Sequence, residues 1–129
     1  FRKNIKDLNH SSDKIDFSKK KLRLGFFSAD FRNHPVGYFL LDLLPKLKSS
    51  NFDIYAYFNN LYEDDLSLEI KKKFIKWQKV SQLSSQEILN LIKLDKIDLL
   101  IDMSGHTNNN NLEIFANKAA PIQLSWAAF

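Results

Sequence analysis

Leu22-Arg23-Leu24-Gly25-Phe26-Phe27-Ser28-Ala29-Asp30-Phe31-Arg32-Asn33-His34-Pro35 is the stretch on which the reading of this chain turns. Residues 22–28 form a short, apolar, aromatic-rich run bounded by turn residues, which is the pattern of a buried strand. Pro35 biases His34 away from helical backbone angles, so His34 falls on a loop, and Pro35 itself suits the first turn of a helix. Tyr38, Phe39, Leu41, Leu43 and Leu44 give that helix an apolar face. Pro45 lacks an N–H and crowds the preceding turn, which predicts an end or kink near Leu44. Ile97-Asp98-Leu99-Leu100-Ile101-Asp102-Met103-Ser104-Gly105-His106-Thr107 repeats the arrangement, an apolar run passing into a histidine loop. Two of the 3 histidines therefore follow directly on predicted strands.

The remaining segments extend the pattern. Phe52, Ile54, Ala56 and Phe58 alternate with Asp53, Tyr55 and Tyr57, the period of two expected of a strand. Asp64 and Asp65 put negative charge at the positive end of a helix predicted to run to about Phe74. A weaker strand is expected over residues 75–80. Ser84 with Glu87 three residues on matches a capping box for a helix over 85–94. Leu112, Ile114, Phe115 and Ala116 predict a short helix, and residues 121–127 a last strand.

Strands alternating with helices imply an α/β fold. The expected form is a Rossmann-like parallel sheet of about five strands, helices on both faces, joined by right-handed crossovers. In the strand order 3-2-1-4-5 the first and fourth strands lie side by side where the order reverses, and ligands collect beyond the carboxyl ends at that point. Both histidine loops should border that one crevice.

Composition narrows the class further. At 129 residues the chain is one domain or a piece of a larger enzyme, and its 44% hydrophobic and 26% charged residues are those of a globular protein. Residues 1–20 are polar, with Asn9-His10-Ser11-Ser12-Asp13 as turn chemistry, and read as a linker or the tail of a preceding region; residues 21–129 are the α/β unit. The absence of cysteine excludes a disulfide scaffold and cysteine zinc sites, and fits a reducing compartment. No apolar run approaches the roughly 20 residues a membrane helix needs, and no apolar signal core follows the first residues. The expected location is the cytoplasm, with no membrane partner. The net charge of +4 is concentrated in Lys19-Lys20-Lys21 and Lys71-Lys72-Lys73. These runs read as solvated faces, and without interleaved aromatics they predict no nucleic-acid partner.

The first loop carries no G-x-G-x-x-G and no P-loop, so dinucleotide binding is unsupported. An imidazole titrates near neutrality, so His34 could serve as a general base. It could equally be a clamp donating to a phosphate or sugar hydroxyl, or a loop histidine bonded to its own backbone. Gly105 permits the bend that aims His106 into the crevice, and Thr107 offers a hydroxyl and an amide. H-E-x-x-H is absent and Asp102 is the only carboxylate near the second loop, so no metal site is expected. Asp98 and Asp102, four apart on one strand, share a face and are expected to orient loops or cap helices. Asn108-Asn109-Asn110-Asn111 reads as a loop and helix start.

Three strings occur in fixed order over some hundred residues: Leu22 to Gly37 with its N-H-P, Ile97 to Thr107 with its G-H-T, and Ala120-Pro121-Ile122-Gln123-Leu124-Ser125-Trp126. Together they resemble the first catalytic lobe of the O-linked N-acetylglucosamine transferase family, bacterial branch, with its SPINDLY-type fucosyltransferase relatives. The resemblance implies the first half of a GT-B enzyme: two Rossmann-like lobes with a nucleotide-sugar between them, often preceded by tetratricopeptide repeats. It implies inverting, metal-independent transfer from a UDP-sugar, UDP-N-acetylglucosamine, onto Ser or Thr hydroxyls of an acceptor protein, with no further cofactor. It puts His34 at the active-site histidine of N-H-P, flanked by Asn33 and Pro35. Gly105, His106 and Thr107 fall at the second active-site loop, and Gln123 on the strand facing the other lobe.

Two departures accompany the likeness. Asn111 stands where the bacterial pattern has an arginine, and Ala127-Ala128-Phe129 replaces the usual Leu-Gly-Tyr-Pro. With the second lobe missing, the chain alone should bind donor poorly and turn over little. Two other readings stay open: a GDP-fucose-dependent O-fucosyltransferase lobe, and a non-catalytic Rossmann-like protein-binding domain.

Overall fold

The structure, a computed structural model, describes residues 21–104 and 109–126. Along the chain it forms β1 (Leu22–Ser28), α1 (Pro35–Ser49), β2 (Phe52–Phe58), α2 (Asp65–Lys71), β3 (Lys76–Lys79), α3 (Ser85–Leu94), β4 (Leu99–Asp102), α4 (Asn109–Ala116) and β5 (Ile122–Ser125). The strands make one sheet in the order β3-β2-β1-β4-β5, every pair parallel. The expected strand order is the observed one.

Successive strand residues point to opposite faces, and both faces of this sheet are buried. Phe26, Ile54, Phe58 and Ile101 pack with Val36, Leu40 and Leu44 of α1 and Ile70 of α2. Phe27, Tyr57 and Leu100 pack on the other side with Ile88 and Ile92 of α3 and Ile114 of α4. Right-handed crossovers dictate this division, because the chain steps outward from β1 to β3 and then returns to β4 in the opposite direction. Among the described residues no helix is long and apolar enough to cross a membrane.

Pro45 does not end α1, which runs on to Ser49. Proline removes one N–H bond from the helix. Continuing nevertheless places Leu47 against the core and sets Lys46 Nζ 3.3 Å from Asp42 one turn earlier. The stop comes at Ser50, whose N–H bonds the carbonyls of Lys46 and Leu47, and at Asn51, with a φ of 72°. Helix α2 is shorter than its charge pattern predicts, because Phe74 leaves the helix to enter the core. Strands β3, β4 and β5 are each trimmed at their ends relative to the apolar runs that announce them.

Asp95, which caps the end of α3, is a buried carboxylate with three side-chain donors: Tyr57 Oη at 2.6 Å, Lys76 Nζ at 2.8 Å and Gln78 Nε2 at 2.8 Å. Burial pushes its pKa up, but the bonds from Lys76, Tyr57 and Gln78 outweigh that and hold it below the usual carboxylate range. On the α1 face, an apolar groove of about 440 Å³ lies open over β1 and β4, lined among others by Phe39, Leu43, Leu99, Ile101 and Trp126.

Candidate active site

The carboxyl ends of β1 and β4 are adjacent, with Phe27 in register with Asp102. The loop after β1 is built to be rigid. Phe31 is fully buried and stacks on Phe58 at 5.7 Å between ring centroids, with Phe74 and Trp77 closing around it. Its carbonyl accepts a 2.7 Å bond from Ser67 Oγ of α2. Anchored there, the chain turns through Arg32 and Asn33 and delivers His34 to the start of α1. Gly37 is required for this turn, since a Cβ at that position would sit 2.0 Å from the Arg32 carbonyl oxygen.

His34 is the N-cap of α1, and its Nδ1 accepts the Val36 N–H at 3.1 Å. One lone pair is thereby used, so in the neutral ring the proton resides on Nε2. Nε2 lies 3.8 Å from Asp30 Oδ2, and the other oxygen of Asp30 accepts from Arg32 Nη2 at 3.2 Å. Pro35 is the first helical residue. The Asn33 N–H donates to Asp64 Oδ2 at 2.9 Å. That bond, with the N–H of Ser67, holds the Asp64 carboxyl below its ordinary pKa. Asn33, Tyr38, Asp64 and Glu69 line an open depression of about 400 Å³ beside His34.

On the other side of the crevice, Asp102 closes β4 and accepts the Ser104 N–H at 3.0 Å. Burial raises its pKa against that opposing bond. Asp98 Oδ2 accepts the Arg23 N–H at 2.8 Å, so Asp98 braces strand β1 instead of the expected loop or helix end, whereas Asp102 orients the loop after β4 as expected. Gly105, His106 and Thr107 lie outside the described residues. Gln123 sits in β5 with both ends of its amide engaged, donating to the Phe115 carbonyl and accepting the Ala119 N–H, each at 2.8 Å. It braces the connection between α4 and β5, and the structure does not bring it together with His34. Among the described residues no group of three metal-ligating side chains forms. Lys71 and Lys72 face Glu63 and Glu69, in keeping with a solvated surface.

Sequence reading passed over Ser28 and Asp30, which hold the crest together. A small hydroxyl residue as the last member of an apolar strand was the available signal. Asp64 was legible as a helix opener but not as the partner of Asn33.

Residues 4–129 match glycosyl transferase family 41. The chain belongs to this family. Within it, the chain is 30% identical over 123 residues to the probable UDP-N-acetylglucosamine–peptide N-acetylglucosaminyltransferase SPINDLY of Oryza sativa subsp. japonica, covering 92% of this chain and 13% of that protein. It is 32% identical over 111 residues to the similarly named SEC protein of Arabidopsis thaliana, covering 85% of this chain and 11% of that one. A variant O-GlcNAc transferase of Thermobaculum terrenum superposes with a TM-score of 0.78 at 34% identity, over 85% of this chain and 21% of that chain. The Rossmann-like sheet described above is thus shared with part of that structure, and the chain spans about an eighth of the plant relatives it matches.

Proposed function

We propose that this chain is the N-terminal lobe of an inverting, metal-independent GT-B protein O-glycosyltransferase that moves N-acetylglucosamine from UDP-N-acetylglucosamine to Ser or Thr hydroxyls. Membership of family 41 carries the reading, and the placement of the N-H-P histidine at the sheet's switch point supports it. A second lobe would hold the donor, and an acceptor protein would enter over the crest. A reducing, cytoplasmic setting fits the absence of cysteine.

In the reaction the acceptor oxygen attacks the anomeric carbon as the bond to UDP breaks. The hydroxyl proton passes to a base, and the diphosphate leaves carrying the bonding pair. Such a step needs a proton acceptor near the hydroxyl and donors aimed at the departing charge. His34 and His106 are assigned to the acceptor side of this site, with Asn33, Pro35, Gly105 and Thr107 shaping it, while Gln123 serves only to brace the α4–β5 connection. For His34 the bond from Val36 favours the clamp over the base: Nε2 presents a proton, and freeing Nδ1 to accept one would uncap α1. The lobe by itself should transfer little or nothing.

The test is turnover by the full-length gene product with UDP-N-acetylglucosamine and with GDP-fucose, the product being read by mass. We expect the hexosamine adduct; a fucosyl adduct redirects the assignment to the fucosyl branch, and no transfer of either sugar leaves the binding-domain reading. His34→Ala in that protein should lower kcat by at least tenfold with a smaller change in donor KM. Wild-type turnover in the variant would remove His34 from the site.

A further inference from the structure

We infer that Ser28 is a positioning residue whose hydroxyl fixes the spacing of the two histidine loops. The inference rests on the transferase reading above. Ser28 is the last residue of β1 and is fully buried. Up to this point β1 and β4 are held by main-chain bonds, the last being Met103 N–H to the Phe27 carbonyl at 2.9 Å. Beyond it the strand pairing ends, and a side chain adds a further link. Ser28 Oγ donates to the Met103 carbonyl at 3.0 Å and accepts the Asp30 N–H at 3.0 Å. The Ser28 carbonyl meanwhile accepts the Asn59 N–H of the loop after β2 at 2.8 Å.

One residue therefore joins three crest loops, and its hydroxyl joins the two that carry histidines. A hydroxyl suits the task because it donates and accepts at once. On one side the bond reaches Asp30, whose carboxylate faces His34 and Arg32. On the other it reaches Met103, three residues before His106 in sequence. Alanine would leave the Asp30 N–H without this acceptor and the Met103 carbonyl without this donor, and at Met103, which is fully buried, the lost bond is costly. The loops would then drift independently, and misplacement of reacting groups by about 1 Å costs on the order of 100-fold in rate.

The experiment uses the full-length gene product and three substitutions. Ser28→Ala removes the hydroxyl, Ser28→Cys fills its volume with a poor hydrogen-bonding group, and Ser28→Thr keeps it. We expect kcat to fall at least tenfold in the first two with donor KM within twofold of wild type, and Ser28→Thr to recover most of the loss. Hydrogen–deuterium exchange should rise in Ser28→Ala across residues 29–34 and at Met103 and Ser104 together, and not in β2 or α3. Turnover within twofold of wild type in both Ser28→Ala and Ser28→Cys overturns the inference. So does a loss explained by donor KM, loosening confined to one loop, or a Ser28→Thr protein that melts like wild type yet is as slow as alanine. If wild-type protein transfers neither sugar, the transferase reading falls instead, and the exchange measurement alone decides whether Ser28 ties the loops.

Discussion

At His34 one ring holds two offices that substitution can separate. Nδ1 caps α1 through the Val36 N–H, and Nε2 faces the crevice beside Asp30. Asparagine is a good N-cap and alanine a poor one, the difference being about 1 kcal/mol. His34→Asn should therefore melt close to wild type while His34→Ala loses about 1 kcal/mol, as thermal unfolding will show. Both lack Nε2, so both should lose turnover alike; an active His34→Asn enzyme would mean that capping is the whole contribution of this residue. The loop position of His34 was legible from Pro35. The cap bond was not, since histidine is not among the residues that announce a helix start, and only the folded backbone brings Val36 to Nδ1.

Elements were legible where their signals are local. Ser84 and Glu87 form the capping box that their spacing predicts, and the period-two alternation of residues 52–58 becomes β2 without adjustment. Where a long-range contact decides, the sequence misleads: α1 crosses Pro45 because Leu47 has a core to reach, and no local signal marks Asp95 as buried. In the fold Asp95 links α3 to β2 and β3 through Tyr57, Lys76 and Gln78. Its folded pKa is depressed, so its ionised form stabilises the protein above the unfolded value near 4, and this contribution is lost as pH falls through the folded value. Asp95→Asn should cost about 2 kcal/mol at pH 7, in the range for hydrogen bonds to a charged group. Chemical denaturation at a series of pH values should show the gap between variant and wild type closing below pH 4; a gap independent of pH would assign the effect to packing.

For the molecule as a whole, the strand order and the meeting of β1 with β4 follow from alternation and handedness, which is why the position of the crevice is legible in the sequence. The apolar groove is not. Phe39 and Leu43 read as part of one apolar helix face, and nothing in their spacing tells that the sheet beneath extends past the helix to β4 and β5. An environment-sensitive apolar dye should bind the polypeptide of residues 1–129 in this groove and brighten, and Leu43→Lys should weaken that binding at least threefold in a fluorescence titration. Unchanged dye affinity would place the bound dye elsewhere. A cleft that brightens a dye only while uncovered doubles as a reporter of contact: loss of the signal beside Trp126 would time the arrival of any partner that comes to lie on this face.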